Sequence, residues 1–382
     1  MAGKRSIFEE VGAASVAAPQ VGGIDARGLG ARAGIRLWLM VLFGLVAVMI
    51  AVGGLTRLTD SGLSITEWKP ISGALPPTNG AAWAAEFAAY QASPEFLLQN
   101  KTMTLEAFKG IFWWEWGHRQ LGRMIGLVWA VGFAGFLAAG KIPVGWTRRL
   151  LAIGALIGVQ GAIGWWMVSS GLTGAAVDVA SYRLAVHLGL AFVILGVIAW
   201  SVFLLGRRET DLMQARRGRE DKLYRLSTGL MHFAFLQIVL GALVAGIDAG
   251  RNYPTWPLMN GEFFPSDAFV VPGRPVWAAF FENAGLVQFI HRMSGYLLFI
   301  FGVVVWLRGR KSAYQATRRA YHGVMAMMGL QVVLGIVTVL SAAALHPAIT
   351  HQVGAVVLWV LILRARYLAA YPVAGSIRKG TA

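Results

Sequence analysis

Apolar residues along this chain fall in uninterrupted runs rather than in amphipathic stripes. Residues 37–55 form 19 positions without a charge, and comparable runs follow at 124–140, 150–168, 184–205, 226–246, 293–307, 320–345 and 349–363. About 20 apolar residues cross a bilayer as a helix, and a shorter run reaches that length by drawing on its polar flanks. The pattern predicts an all-α integral membrane protein with eight transmembrane helices, numbered here as spans 1 to 8.

The polar segments between the runs repeat. Asp60, Gly62, Trp68, Gly73 and Pro77 after span 1 recur as Asp248, Gly250, Trp256, Gly261 and Pro265 after span 5, every pair offset by 188. His118, Arg119 and Gly122 recur as His291, Arg292 and Gly295 at an offset of 173, and Gln160 and Gly164 as Gln331 and Gly335 at 171. A shrinking offset means shorter connections in the second copy. Because each copy holds an even number of spans, both enter the membrane from the same side as a parallel repeat. The expected architecture is two pseudo-symmetric four-helix bundles, at 37–205 and 226–370. A cytoplasmic segment 1–36, a basic linker 206–225 and a cytoplasmic tail 371–382 complete the chain.

Charge orients this arrangement. The formal net charge is +16, but the basic residues sit in the connections, so they read as membrane-orienting charge rather than as a nucleic-acid surface. Residues 206–225 hold seven Lys/Arg, 308–319 five and 140–149 three, whereas 247–285 holds only Arg251 and Arg274. Positive charge stays inside, which places both termini in the cytoplasm and the longest loops outside. The start, MAGKRSIFEE, lacks the apolar core of a cleavable signal, so span 1 is expected to stay in the mature protein. Cysteine is absent. That leaves His and carboxylates for any metal chemistry, without disulfides, iron–sulfur clusters or thiolate ligands.

Four of the seven histidines lie at matched heights near the outer surface: His118 on span 2, His187 on span 4, His291 on span 6 and His351 on span 8. Side chains from facing helices of a bundle build cofactor sites, and haem iron needs only two axial ligands. Zinc, which takes three or four protein ligands, fits such pairs poorly. His346, in a loop before Pro347, competes with His351. His232 and His322 lie toward the cytoplasmic ends of spans 5 and 7, where packing or interfacial roles suit them. Arg119, Arg123 and Arg292 are candidates to pair with haem propionates, or else they snorkel at helix ends. Trp113-Trp114 and Trp165-Trp166 read as interfacial aromatics.

The two copies differ at one position beside a histidine. Glu115-Trp116-Gly117-His118 becomes Gln288-Phe289-Ile290-His291. A spacing of three puts Glu115 on the face of His118, where a carboxylate can move protons or stabilise a developing cation. The asymmetry makes Glu115 the catalytic candidate, with a reacting haem in the first half and an electron-transfer haem in the second. The alternative is a rim carboxylate paired with Arg119.

Taken together, the segment from Gly53-Gly54-Leu55-Thr56-Arg57 through Asp60-Ser61-Gly62-Leu63-Ser64, the Glu115-Trp116-Gly117-His118-Arg119 motif, Asn252-Tyr253-Pro254-Thr255-Trp256-Pro257-Leu258-Met259 and His291-Arg292 resemble the haem A synthases of bacteria and mitochondria. The resemblance runs from about Gly53 to His351. It implies a haem b held by His291 and His351, and substrate haem O near His118, His187 and Glu115. The implied reaction oxidises the porphyrin C8 methyl through a hydroxymethyl intermediate to the formyl group of haem A, for supply to cytochrome oxidase. Some bacterial members carry a cysteine pair in the first outer loop; lacking it, this chain looks like the cysteine-free proteobacterial and mitochondrial-type branch. An inner bacterial cell membrane, an electron donor and a haem O synthase that supplies the substrate are further implications, and a homo-oligomer stays open. A quinol-linked di-haem b-type electron carrier fits the two histidine pairs as well. A transporter, whose site would lie nearer the midplane, is the third reading.

Overall fold

The computed structural model describes residues 23–174 and 176–373. The outer parts of the expected cytoplasmic ends, 1–22 and 374–382, lie outside the described residues. The chain is all-α, with eight helices long and apolar enough to cross a membrane among the described residues. Span 1 is Gly23–Leu58, span 2 Leu105–Ala138, span 3 Thr147–Val168 and span 4 Ser181–Leu205. Span 5 is Asp221–Gly246, span 6 Ala284–Gly309, span 7 Gln315–Leu340 and span 8 Leu345–Ala370.

Two boundaries depart from the hydropathy pattern. Span 2 begins at Leu105, far ahead of its apolar run, because an aromatic cap supports its outer turns. Thr104 caps the helix by accepting from the Ala107 amide at 3.3 Å. Phe108 stacks on Tyr90 with ring centroids 5.2 Å apart, and Phe112 meets Trp83 edge-on at 4.9 Å. Tyr90 and Trp83 come from the short outer helix Gly80–Gln91, which Asn79 caps by accepting from Ala82 at 2.8 Å. The basic linker 206–225 is partly helical. It contains the helix Glu209–Arg216, whose Leu212 is buried against spans 5 and 8, and its last residues already belong to span 5.

Span 1 packs on spans 2 and 4, and span 3 on spans 2 and 4; span 5 packs on spans 6 and 8, and span 7 on spans 6 and 8. Spans 1, 4, 5 and 8 also join the halves, through contacts of 4 with 5, 4 with 8 and 1 with 8. Spans 4 and 8 are accordingly the central helices, with 56% and 61% of their most apolar windows buried. On span 1 the buried residues Ile35, Leu39, Leu42, Val46 and Ile50 recur every three or four positions, one face of a helix, and meet Phe192, Leu195, Ile198 and Val202 of span 4.

In lipid, hydrophobic burial does not drive helices together, so close contact and interhelical hydrogen bonds decide the packing. One arrangement recurs: a side-chain donor reaches a helix carbonyl, and the residue four positions later is glycine. Trp38 Nε1 donates to Val128 at 2.9 Å beside Gly132, and Trp129 Nε1 to Leu150 at 3.1 Å beside Gly154. Trp359 Nε1 donates to Phe192 at 3.0 Å beside Gly196, and Gln352 Nε2 to Ile50 at 2.7 Å beside Gly54. A helical carbonyl keeps a second lone pair after its own backbone bond, and the missing Cβ opens the way to it.

On the outer side, Arg57 at the end of span 1 staples the loops. It bonds Asp60 at 2.8 Å and Asp248 at 2.8 Å, with Asp178 at 3.6 Å. Asp60 and Asp248 are repeat partners and share left-handed backbone, with φ of 48° and 51°, a conformation that Asp tolerates better than most residues.

A Cβ on Gly132 would lie 2.1 Å from Trp38 Nε1, whereas one on Gly126 would meet nothing within 4 Å. Gly132→Ala is expected to cost roughly 1–3 kcal/mol through overpacking and to lower the unfolding temperature in detergent. Gly126→Ala on the same helix is expected to leave that temperature unchanged.

Candidate functional site

Each of the four histidines rests on a glycine of the span that precedes its own. A Cβ on Gly53 would lie 3.1 Å from His118 Nε2, and one on Gly164 3.0 Å from His187 Cε1. In the second half the distances are 3.0 Å from Gly241 to His291 Cε1 and 3.3 Å from Gly335 to His351 Cε1. Any side chain at these glycines would push the imidazole away. His118 and His187 stand on spans 2 and 4, which both pack on spans 1 and 3, and His291 and His351 on spans 6 and 8, which both pack on spans 5 and 7, so each pair belongs to one group of four helices.

Glutamines brace three of the four. Gln160 Nε2 donates to the His187 carbonyl at 3.0 Å, Gln237 Nε2 to that of His291 at 2.9 Å and Gln331 Nε2 to that of His351 at 3.2 Å. The amide nitrogens of Gln160 and Gln237 also touch the rings, 3.2 Å and 3.1 Å from Nδ1 of their histidines. The carbonyl bonds fix the helical turn that carries each of these three imidazoles.

Glu115 is 3% exposed and receives four hydrogen bonds. Its Oε2 accepts from Ser64 Oγ at 2.7 Å and the Ile65 amide at 2.8 Å, and its Oε1 from Arg119 Nη2 at 2.6 Å and Nε at 3.1 Å. Arg119 in turn donates to the carbonyls of Ile65 and Glu67 at 2.7 Å and 3.0 Å. Arg123 donates to the carbonyls of Pro70 and Lys69, both at 2.8 Å, and to Gln120. Both guanidinium groups therefore clasp the first outer loop onto span 2.

The second half repeats the clasp with one change. Arg292 Nη2 donates to the Tyr253 carbonyl at 2.8 Å, and Tyr253 is offset by 188 from Ile65, the corresponding acceptor of Arg119. Gln288, however, is a donor here, to the Ala249 carbonyl at 3.0 Å. It brings no negative charge, and the buried Nε and Nη1 of Arg292 have no hydrogen-bond partner among the described residues. The replacement of Glu by Gln thus leaves one arginine free to receive an anion.

The remaining histidines stand apart from the pairs. His346 lies in the exposed first turn of span 8, not in a loop; Pro347 occupies that turn because the first helical amides need no intrahelical acceptor. His351, one turn deeper and against Gly335, is the one that faces the core. His232 contacts the Thr228 carbonyl at 2.9 Å, and His322 accepts from Trp306 Nε1 at 3.0 Å; both are exposed. Of the tryptophan pairs, Trp165 packs on Trp68 at 5.1 Å and Trp166 lies under Arg183 at 4.6 Å.

The family model described as cytochrome oxidase assembly protein, COX15-CtaA, matches residues 36–363. The chain belongs to this family. A heme A synthase of Ruegeria sp. is 64% identical over 378 residues, covering 98% of this chain and 99% of that protein. Those of Roseobacter denitrificans and Cereibacter sphaeroides are 62% and 63% identical over 382 and 386 residues, each covering 99% of this chain and 100% and 99% of the respective protein. The stretch matched to the COX15-CtaA family contains Glu115 and all four paired histidines.

Gln237, Gly241 and Glu95 escaped sequence reasoning. The offset of 188 that relates the outer loops also carries Gly53 onto Gly241, so that glycine was within reach of the repeat. Glu95 carried no such signal. It sits in the short helix Pro94–Leu98, 4% exposed, with Oε1 3.4 Å from Asn100 Nδ2 and Oε2 without a partner among the described residues. Burial first, then the Glu115, Asp178 and Asp60 carboxylates, push its carboxyl up to about 8, while Arg57 opposes them. Its folded form holds a proton that the unfolded form has lost, so ionisation works against folding as pH rises from the ordinary carboxylate range to about 8. Wild-type stability is expected to fall by roughly 1 kcal/mol per pH unit there. Glu95→Gln is expected to flatten that slope in thermal unfolding from pH 5 upward, and an unchanged slope would assign the titration elsewhere.

Proposed function

We propose that this multi-pass membrane protein is a haem A synthase, an oxidoreductase that acts on a CH group of haem O to give haem A. The near full-length identity to heme A synthases carries this reading, because two histidine pairs alone fit a di-haem electron carrier equally well. In finer terms, the C8 methyl passes through a hydroxymethyl group to the formyl group. The packing is read as two four-helix bundles, with haem O taken by His118 and His187 in the first and haem b held by His291 and His351 in the second.

The residues present suit these groups. Each histidine pair comes from facing helices, the rings are seated on glycines, and the unpartnered nitrogens of Arg292 provide for a propionate where Arg119 and Arg123 are already engaged. Haem b, when bound, supplies a one-electron relay. Glu115, with donors on both oxygens and Arg119 as its counter-ion, suits electrostatic work better than proton transfer: its carboxylate lies one turn from His118, where it would stabilise a positive charge developing at the methyl carbon. The same carboxylate holds the first outer loop down through Ser64 and Ile65.

The basic connections 206–225 and 308–319 support an orientation with both termini cytoplasmic, in a bacterial cell membrane. An electron donor and a haem O synthase are the expected partners.

The test is extraction and chromatography of the non-covalent haems after expression with a haem O supply. Haem b together with haem O, the hydroxymethyl form or haem A is expected; two equivalents of haem b alone would establish the electron carrier instead. Glu115→Gln is expected to keep its haem b and lose about a hundredfold in haem A formation. Unaltered product formation at normal haem content would remove Glu115 from the reaction. His291→Ala and His351→Ala are each expected to lose haem b.

A further inference from the structure

Of the four histidine carbonyls, that of His118 alone lacks a glutamine. The gap for one exists. Gly122 follows His118 by four residues as Gly295 follows His291, and a Cβ on Gly295 would lie 3.1 Å from Gln237 Nε2. The offset of 188 that carries Gly53 onto Gly241 carries Met49 onto Gln237. Met49 occupies the matching niche, its Cε 3.2 Å from where a Cβ on Gly122 would be. A thioether has no proton to donate. Among the described residues, no side chain hydrogen-bonds to the ring or the carbonyl of His118.

The difference falls where the two sites have opposite requirements. A resident haem must stay, and in the second half Gln237 reaches both the carbonyl and the ring of His291, while Gln331 holds the carbonyl of His351, whose buried ring Nδ1 has no partner among the described residues. A substrate haem must enter and its product must leave, and the first half has one braced histidine, His187, and one unbraced. We propose that His118 is the exchangeable axial ligand of the first site, and that Met49, standing where the second half has glutamine, leaves its imidazole free to detach. This rests on the assignment of haem O to the His118–His187 pair. Met49 is a positioning residue: it acts through His118 and not on the haem.

The variant Met49→Gln tests this in the full-length protein, purified with both haems and mixed with excess apomyoglobin as haem acceptor. Transfer of haem O or haem A to the acceptor is expected to slow about fivefold, the worth of one added hydrogen bond, with haem b retention unchanged. Met49→Leu, which keeps the volume without a donor, is expected to release haem at the wild-type rate. Electron paramagnetic resonance supplies a signature that packing alone would not move, since Gln is expected to narrow and shift the low-spin signal of the first site only. Equal release rates for wild type and Met49→Gln overturn the proposal. A wild-type protein that never binds haem O overturns the underlying assignment, and the proposal with it. Should Met49→Gln fail to fold, the reciprocal Gln237→Met decides: faster loss of haem b supports the brace, and an unchanged rate overturns it.

Discussion

A helix carbonyl reached by a neighbour's side chain, through the space a glycine leaves one turn later, is the contact on which the rest of this molecule depends. In lipid the apolar surfaces of two helices gain little by meeting, so position must come from directional bonds and close approach. Trp38, Trp129, Trp359 and Gln352 supply such bonds between spans, with Gly132, Gly154, Gly196 and Gly54 as their openings. Of the glutamines behind the histidines, Gln237 uses the same opening, with Gly295 four residues after His291, and Gln331 a variant of it, with Gly354 three residues after His351. The turns that carry the histidines and the packing of the helices are therefore held by related contacts.

Charge distinguishes the halves where geometry makes them alike. Arg119 and Arg292 donate to equivalent loop carbonyls at 2.7 Å and 2.8 Å. Glu115 neutralises the first; Gln288 leaves the second with unpaired buried donors. A buried charge without a partner is costly, which makes an incoming carboxylate worth more at Arg292 than at Arg119. A single exchange of acid for amide thus gives one half an ion pair beside its histidine and the other an arginine with unpaired donors.

The outer loops are ordered by the same economy of few strong contacts. Arg57 gathers Asp60, Asp178 and Asp248 from three separate loops, and the aromatic cluster of Tyr90, Trp83, Phe108 and Phe112 lifts span 2 above its apolar run. Glu95 is enclosed beside this cap, with Asn100 bridging it to Tyr90.

The chain by itself determined the number of spans, because a run of apolar residues long enough to cross a bilayer has no other stable home. Its internal offsets paired His118 with His291 and exposed the exchange of Glu115 for Gln288, since a repeat is a property of order along the chain. Only the tertiary structure decided that His351 rather than His346 faces the core, because five residues of separation do not reveal where the first turn of a helix ends. It alone separated Arg292 from Arg119 and Arg123, for a guanidinium's availability depends on carbonyls brought to it from distant loops. Gln237 and Met49 carried no meaning as letters. They acquired it when span 5 met span 6, and span 1 met span 2, at a distance only folding sets.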